Sequence, residues 1–296
     1  METDPFASKT QREKTVSEWY PVSYLNSESV PTLSYTLLIL NQPIDGKRFS
    51  RYWEGSSFKI CADGGANRLY DLCEKSESHA LKYYVGFIGP HHFVTGGRRL
   101  AFAQLISLQI PEVIHGDLDS LLPKVEEFYR GSGSQIIRDP DQETTDFMKC
   151  LKLISTKTSE IIGCSSHELD VVALGGLGGR VDHGLSQLHH LYMASEDTSL
   201  HIGRIILLTP ESITFLLHKG HNKIHTPLGK GALAENVGII PVGRPAVIST
   251  KGLEWDVNDW TTEIGGRIST SNHIKSDIVE VETTERVVFT IELAGS

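Results

Sequence analysis

The feature that most limits what this chain can fold into is a change of rhythm at Pro210. Upstream, apolar runs of strand length alternate with helical periodicity. SYTLLILNQ comes first, then FKICA before NRLYDLCEK, Ile110 to His115 before LPKVEEFYRGSG, and Gln135-Ile136-Ile137 before DFMKCLKLI. Leu169 to Leu174 precedes a helical pattern over Gly184 to Ala194, and Ile205 to Leu208 closes the series. Strands separated by helices make parallel sheets covered on both faces, so this half is expected to be α/β with a mostly parallel sheet. Downstream, ITFLLHKG, NKIHTP, GIIPVG, AVISTKGLEWDV, GRISTSNHI, DIVEVET and RVVFTIEL are short strands divided by Gly, Pro, Asn and Asp. That spacing predicts an all-β unit, a β-sandwich or barrel. The expected organisation is a loosely ordered lead-in over 1–33, an α/β domain over 34–208 and a β-sandwich over 209–296.

A length of 296 residues suits two modest cores better than one. The formal charge of -9 opposes the counterion release that drives nucleic-acid binding, so nucleic acid is not expected as a partner. No apolar run approaches a membrane span, and the polar start METDPFASKTQREK lacks the apolar core of a signal peptide. A cytoplasmic location without membrane attachment is therefore expected. The four cysteines have no CxxC spacing and read as small core residues. His218, His221 and His225 in HKGHNKIH are interrupted by Gly220, which favours a turn over a metal site.

Acidic residues recur at one kind of place. Asp63 follows a strand, Asp117 and Asp119 in GDLDS follow another, Asp146 lies at a strand-to-helix turn, and Asp182 lies just past GGLGG. Ligands of open α/β sheets bind outside the carboxyl ends of the strands, so these acids should converge at one edge. At i and i+2, Asp117 and Asp119 can face the same way in an extended segment, and a divalent cation would relieve their repulsion. With no histidine or cysteine cage, Mg²⁺ fits better than Zn²⁺. An Asx turn is the competing explanation of GDLDS. Gly64-Gly65 and Gly175 to Gly179 lead toward helices whose N-termini favour phosphate, with Arg180 as a further donor; tight strand-to-helix packing explains the same glycines. Neither loop matches a Walker A or GxGxxG pattern.

Taken in order, ICADGGANRLYD (60–71), GDLDS (116–120), DQETTDF (141–147), LGGLGGRVDH (174–183), GLEWDV (252–257) and STSN (269–272) resemble the thiamine pyrophosphokinases, from about Leu37 to Leu293. The resemblance implies an α/β domain, a C-terminal β-sandwich and a homodimer with active sites at the subunit interface. It implies Mg²⁺-dependent transfer of the pyrophosphoryl group of ATP to the hydroxyethyl oxygen of thiamine, giving thiamine diphosphate and AMP. By matching position, Asp63, Asp117, Asp119 and Asp146 resemble the acidic group that holds Mg²⁺ and the phosphates. Gln142, Thr145 and Asp146 resemble residues near bound substrate, and Arg180 and Asp182 the nucleotide-side pair. Ser269, Thr270, Ser271 and Asn272 resemble the thiamine-pyrimidine contact, with Trp255 as an aromatic neighbour or, equally, a core aromatic.

The chain departs from the family between Leu81 and Ile110, where roughly two dozen extra residues lengthen a normally short link. This insertion, at about 82–109, is expected to lie outside the sheet. Two other functions use the same acids: a metal-dependent nucleotide hydrolase, and a nucleotide-responsive binding protein without catalysis.

Overall fold

The structure is a computed structural model that describes residues 16–25, 34–75, 109–162, 168–229 and 231–295. The chain divides into two compact units. An α/β unit takes Pro21–Leu216 with Lys230–Ala234 and Thr290–Ser296, and a β unit takes the chain up to Tyr20 with Leu217–Gly229 and Glu235–Phe289.

In chain order, β1 (Val16–Trp19) belongs to the β unit, and the α/β unit then supplies β2 (Tyr35–Ile39), β3 (Phe58–Ala62), β4 (Val113–Gly116), β5 (Gln135–Arg138), β6 (Asp170–Leu174), β7 (Ile205–Leu208) and β8 (Ser212–Leu217). Their order is β8-β7-β6-β2-β3-β4-β5. β2 through β7 run parallel, and β8 turns back antiparallel to β7 with Leu208 opposite Ile213. β2 is buried at every position, as the centre of a sheet covered on both faces requires. The chain builds outward from β2 through β3, β4 and β5, then crosses to the other side of β2 for β6 and β7. The switch in direction falls between the carboxyl ends of β2 and β6, where Ile39 lies beside Leu174.

Helices α1 (Gly46–Gly55), α2 (65–75), α3 (Pro123–Gly131), α4 (Asp146–Ile162) and α5 (Val181–Glu196) connect these strands. Each start has a local cause. Asp45 accepts the Lys47 N–H (3.0 Å) ahead of α1, Pro123 opens α3, and Thr145 Oγ1 accepts the Met148 N–H (3.3 Å) at α4.

The β unit holds a five-stranded sheet, β1-β9-β14-β11-β12, and the run β13-β10-β15. Its further strands are β9 (Gly220–His225), β10 (Leu233–Ile240), β11 (Ala246–Lys251), β12 (Trp260–Thr262), β13 (Ser269–His273), β14 (Ile278–Thr283) and β15 (Val287–Leu293). The buried Asn222 side chain closes the β1 edge: its Oδ1 accepts from Trp19 Nε1 (3.0 Å), and its amide donates to the His218 carbonyl (2.7 Å).

Four features differ from the sequence reading. Within the expected lead-in over 1–33, Val16–Trp19 pairs in parallel with β9 and Pro21–Leu25 forms a wholly buried 3-10 helix, because backbone pairing and burial there need no long apolar run. The α/β unit reaches Leu216 rather than stopping at 208, because β8 extends its sheet across a tight turn at Pro210. Both α1 and β12 went unanticipated: α1 buries only Phe49 and Tyr52, and β12 is three residues long. In the HKGHNKIH stretch only His218 and Lys219 form a turn, between β8 and β9; Gly220–His225 is strand β9, with His221 on Glu280 and His225 on Glu18. The expected insertion at 82–109 lies outside the described residues save for Gln109; on either side of it β3 and β4 pair directly, Ile60 beside Val113.

Candidate active site

A cavity of about 420 Å³ opens at the switch between β2 and β6. Leu40, Asn41 and Gln42 line it from the end of β2, Gly175 and Gly176 from the end of β6, and Asp63, Asp117 and Asp146 from the other flank. These three carboxylates bring ligand atoms within 4.8 Å of one another, the one such group of three among the described residues.

The backbone forces this convergence. Asp63 adopts a left-handed φ of 40° directly after β3, with its N–H held by the His115 carbonyl (3.0 Å). Ser120 N–H donates to Asp63 Oδ2 (3.1 Å), while Asp63 Oδ1 is buried with no hydrogen-bond partner. Gly116 ends β4 at a φ of 156°, and a Cβ there would stand 2.8 Å from Asp146 Oδ1 and 2.9 Å from Asp63 Cβ. Only a glycine lets the three acids close around this point. The Asp117 N–H then donates to Asp146 Oδ1 (3.2 Å), which ties the first residue of α4 to the end of β4.

Electrostatics separates the acids. Burial pushes the Asp63 carboxyl up to about 6, with the Asp146 and Asp119 charges adding to the rise and the Ser120 N–H opposing it. The Asp119 N–H holds Asp117 below its ordinary value, against a smaller effect of burial. An orphaned, buried carboxylate oxygen among hard oxygen donors is the chemistry of a Mg²⁺ site. In the metal-free protein, a raised Asp63 pKa contributes stability that is full below its ordinary 3.8 and lost as pH rises through about 6. Urea unfolding in EDTA should therefore show Asp63→Asn more stable than the native chain at pH 7.5 by about 1–2 kcal/mol, with the gap closing by pH 4.

Of the other expected site residues, Gln142 and Thr145 line the cavity. Gln142 Nε2 donates to Asp117 Oδ2 (3.2 Å), and Thr145 Oγ1 donates to His190 Nε2 (2.5 Å). His190 Nδ1 donates to the Ser186 carbonyl, and burial lowers its pKa, so Nε2 is free to accept. Asp119 does not join the three acids. Leu118 takes a φ of 64°, which breaks the extended geometry that would align residues i and i+2, and the Asp119 carboxylate turns to Ser120 Oγ (2.9 Å). GDLDS thus forms an Asx turn, since Asp117 Oδ1 accepts the Asp119 N–H (3.1 Å). Arg180 and Asp182 are not among the cavity's lining residues. They form an exposed bidentate pair at the start of α5, Nη2 to Oδ2 at 2.6 Å, each satisfying the other. The glycines are explained by close packing: a Cβ at Gly65 would strike the Ile39 carbonyl, and one at Gly176 would lie 2.9 Å from Leu207 Cβ.

A second cavity, of about 260 Å³, belongs to the β unit and is lined by Trp255, Trp260, Ile248, Ile268, Ser269, Thr270 and Asn272, among others. Trp255 is 55% exposed, so it is a cavity wall and not a core aromatic. Asn272 is buried and brackets the Trp255 backbone, accepting its N–H (3.1 Å) and donating to its carbonyl (2.9 Å). Ser271, at a φ of 55°, is not among the lining residues.

Residues 49–202 match the family description "Thiamin pyrophosphokinase, catalytic domain", and residues 221–288 match "Thiamin pyrophosphokinase, vitamin B1 binding domain". The thiamine pyrophosphokinase of Saccharomyces cerevisiae is 30% identical over 87% of this chain and 85% of its own length. Thiamine pyrophosphokinase 3 of Oryza sativa subsp. japonica is 35% identical over 88% and 87%. The chain belongs to the thiamine pyrophosphokinase family. Its fold agrees: the thiamin pyrophosphokinase structure from Candida albicans superposes with a TM-score of 0.72 at 26% identity, over 94% of this chain and 93% of that one. The yeast thiamin pyrophosphokinase structure gives 0.72 at 27%, over 95% and 93%.

Within this thiamine pyrophosphokinase fold, sequence reasoning missed Lys149, buried beside Asp146, along with Asn41 and Gln42 at the end of β2. The last two had a usable signal, since polar residues directly after a central parallel strand fall at the switch point. Lys149 had none, because a lysine on a helix is by default solvated.

Proposed function

We propose that this chain transfers the pyrophosphoryl group of ATP to the hydroxyethyl oxygen of thiamine, with Asp63, Asp117 and Asp146 holding Mg²⁺ and the phosphate chain. The observation that carries the reading is the closure of these three carboxylates around Gly116 in the switch-point cavity. Bound there, the cation would neutralise phosphate oxygens and offset charge on the transferring group. The protein's own part is orientation. Gln142 steadies Asp117, Thr145 and His190 tie the first turn of α4 to α5, and the backbone N–H groups opening α2 favour an anion beside Asp63. Asp119 contributes negative charge near Asp63 rather than a ligand atom. Arg180, with both donors on Asp182, is given no phosphate contact.

The β-unit cavity suits thiamine, a cation with two aromatic rings: Trp255 offers an exposed indole face, and Ser269 and Thr270 offer hydroxyls. Replacing Trp255 by Ala should raise KM for thiamine about tenfold while kcat and KM for ATP change less than about threefold, a split read by steady-state kinetics.

The overall reading is tested by incubating the protein with thiamine and Mg-ATP and separating the products by ion exchange. Thiamine diphosphate and AMP in equal amounts are expected. Thiamine monophosphate with ADP, or nucleotide breakdown that is independent of thiamine, would overturn it. We further infer a cytosolic homodimer. Buried free Cys61, Cys73 and Cys150 accord with a reducing compartment, and the exposed Val181, Leu185 and Met193 on α5 are apolar surface of the kind that a second copy covers. Among the described residues, no helix is long and apolar enough to cross a membrane.

A further inference from the structure

Lys149 is a charged side chain that the folded chain buries almost completely, at 2% exposure, one helical turn beyond Asp146. A buried ammonium is costly unless its hydrogen bonds are satisfied, so its partners indicate what it is there to do. Nζ donates to Asp146 Oδ1 (3.3 Å) and to the Asp139 carbonyl (3.2 Å). Asp139 is in turn anchored, its N–H donating to the Gly116 carbonyl (2.7 Å). The ammonium therefore joins α4 to the segment leaving β5 at the very place where the three acids meet. Asp146 Oδ1 also takes the Asp117 N–H, so this oxygen is fully engaged by the protein. Lys149 itself is not among the residues that line the cavity.

We infer that Lys149 is a positioning residue, a built-in counter-charge that occupies Oδ1 of Asp146 so that Oδ2 is presented to the cation, without touching substrate. The inference rests on the proposed Mg²⁺ role of the three acids. Asp63, Asp117, Asp119 and Asp146 carry negative charge at the site, with Asp141 and Glu143 also on the cavity wall, and Lys149 is the buried cation set against them. Its charge has two opposed consequences. It orders Asp146 for turnover, yet it repels any divalent cation bound to the same carboxylates.

Removing the charge should therefore separate binding from catalysis. Mn²⁺, titrated without substrates and followed by the electron paramagnetic resonance of the free ion, should bind Lys149→Met at least about threefold more tightly than the native chain. In the same variant kcat should fall at least about thirtyfold, with KM for ATP within about threefold of native. Lys149→Arg keeps the charge, and its Mn²⁺ affinity should match the native value within about twofold. If Lys149→Met does not fold, the arginine variant carries the test, and a change in its Mn²⁺ affinity beyond about threefold would overturn the inference. Unchanged or weaker Mn²⁺ binding by folded Lys149→Met overturns it too, as does a raised KM for ATP at native kcat, which would mean a direct phosphate contact. Failure of the cation reading looks different: the native chain and Asp117→Asn would then be alike in binding no Mn²⁺, and the Lys149 inference would fall with it.

Discussion

Gly116→Ala is expected to cost at least about 100-fold in turnover, because the added methyl occupies the point around which the acids close. The new Cβ would meet Asp146 Oδ1 at 2.8 Å and Asp63 Cβ at 2.9 Å, and neither neighbour can retreat freely. Asp146 Oδ1 is held by Lys149 and by the Asp117 N–H, while Asp63 sits at the end of a buried strand with its Oδ2 on Ser120. Relief must come from moving the end of β4, which carries Asp117 itself. The accompanying loss of stability should be about 1–3 kcal/mol, the usual range for forcing an atom into a packed site. Steady-state kinetics with urea unfolding checks both numbers. Native turnover in a folded Gly116→Ala protein would mean that the three carboxylates need not be this close.

Asp117→Asn should reduce kcat by about 100- to 1,000-fold with the fold intact. The amide keeps the shape of the carboxylate, and its oxygen can still accept the Asp119 N–H, so the turn over 117–119 survives. What is lost is one of the three negative charges that meet at this point. Stability without metal should change by less than about 1 kcal/mol, since removing a charge beside Asp146 and Asp63 relieves repulsion as it weakens the link to Gln142. Under the proposed Mg²⁺ role of the three acids, added Mg²⁺ is expected to raise the Tm of the native chain and to raise that of this variant less. Asp119→Asn is the informative comparison. With its carboxylate on Ser120 Oγ and outside the trio, it should lose less than about tenfold in kcat. Equal losses from the two variants would restore Asp119 as a ligand.

These contrasts mark the boundary between pattern and packing. Acids that follow parallel strands were legible because the pleated, buried strands FKICA and VIHG deliver whatever comes next to one edge of the sheet. Six motifs in order made the family legible before any coordinate, and the comparisons bear that out. The division of labour within GDLDS was not legible. An i, i+2 pair aligns only if the residue between is extended, and Leu118, which carries no glycine or asparagine signal, is held left-handed by its surroundings. Likewise Lys149 looks like any helical lysine until α4 is packed against β4, and Trp255 reads equally as a core aromatic or a ligand neighbour until Asn272 is seen to hold its backbone at a cavity wall.

By itself, the sequence determined the alternation of strands and helices, the change to all-β structure after Pro210, and the chemistry collected at the sheet edge, because periodicity and local composition act over a few residues. Tertiary structure alone decided which carboxylates share a point in space, which oxygen of Asp146 is taken by Lys149 and the Asp117 N–H, and that β1 joins the β unit while β8 extends the α/β sheet. Those choices depend on left-handed backbone turns, the clearance around Gly116 and the burial of one ammonium, all set by contacts between residues distant in the chain.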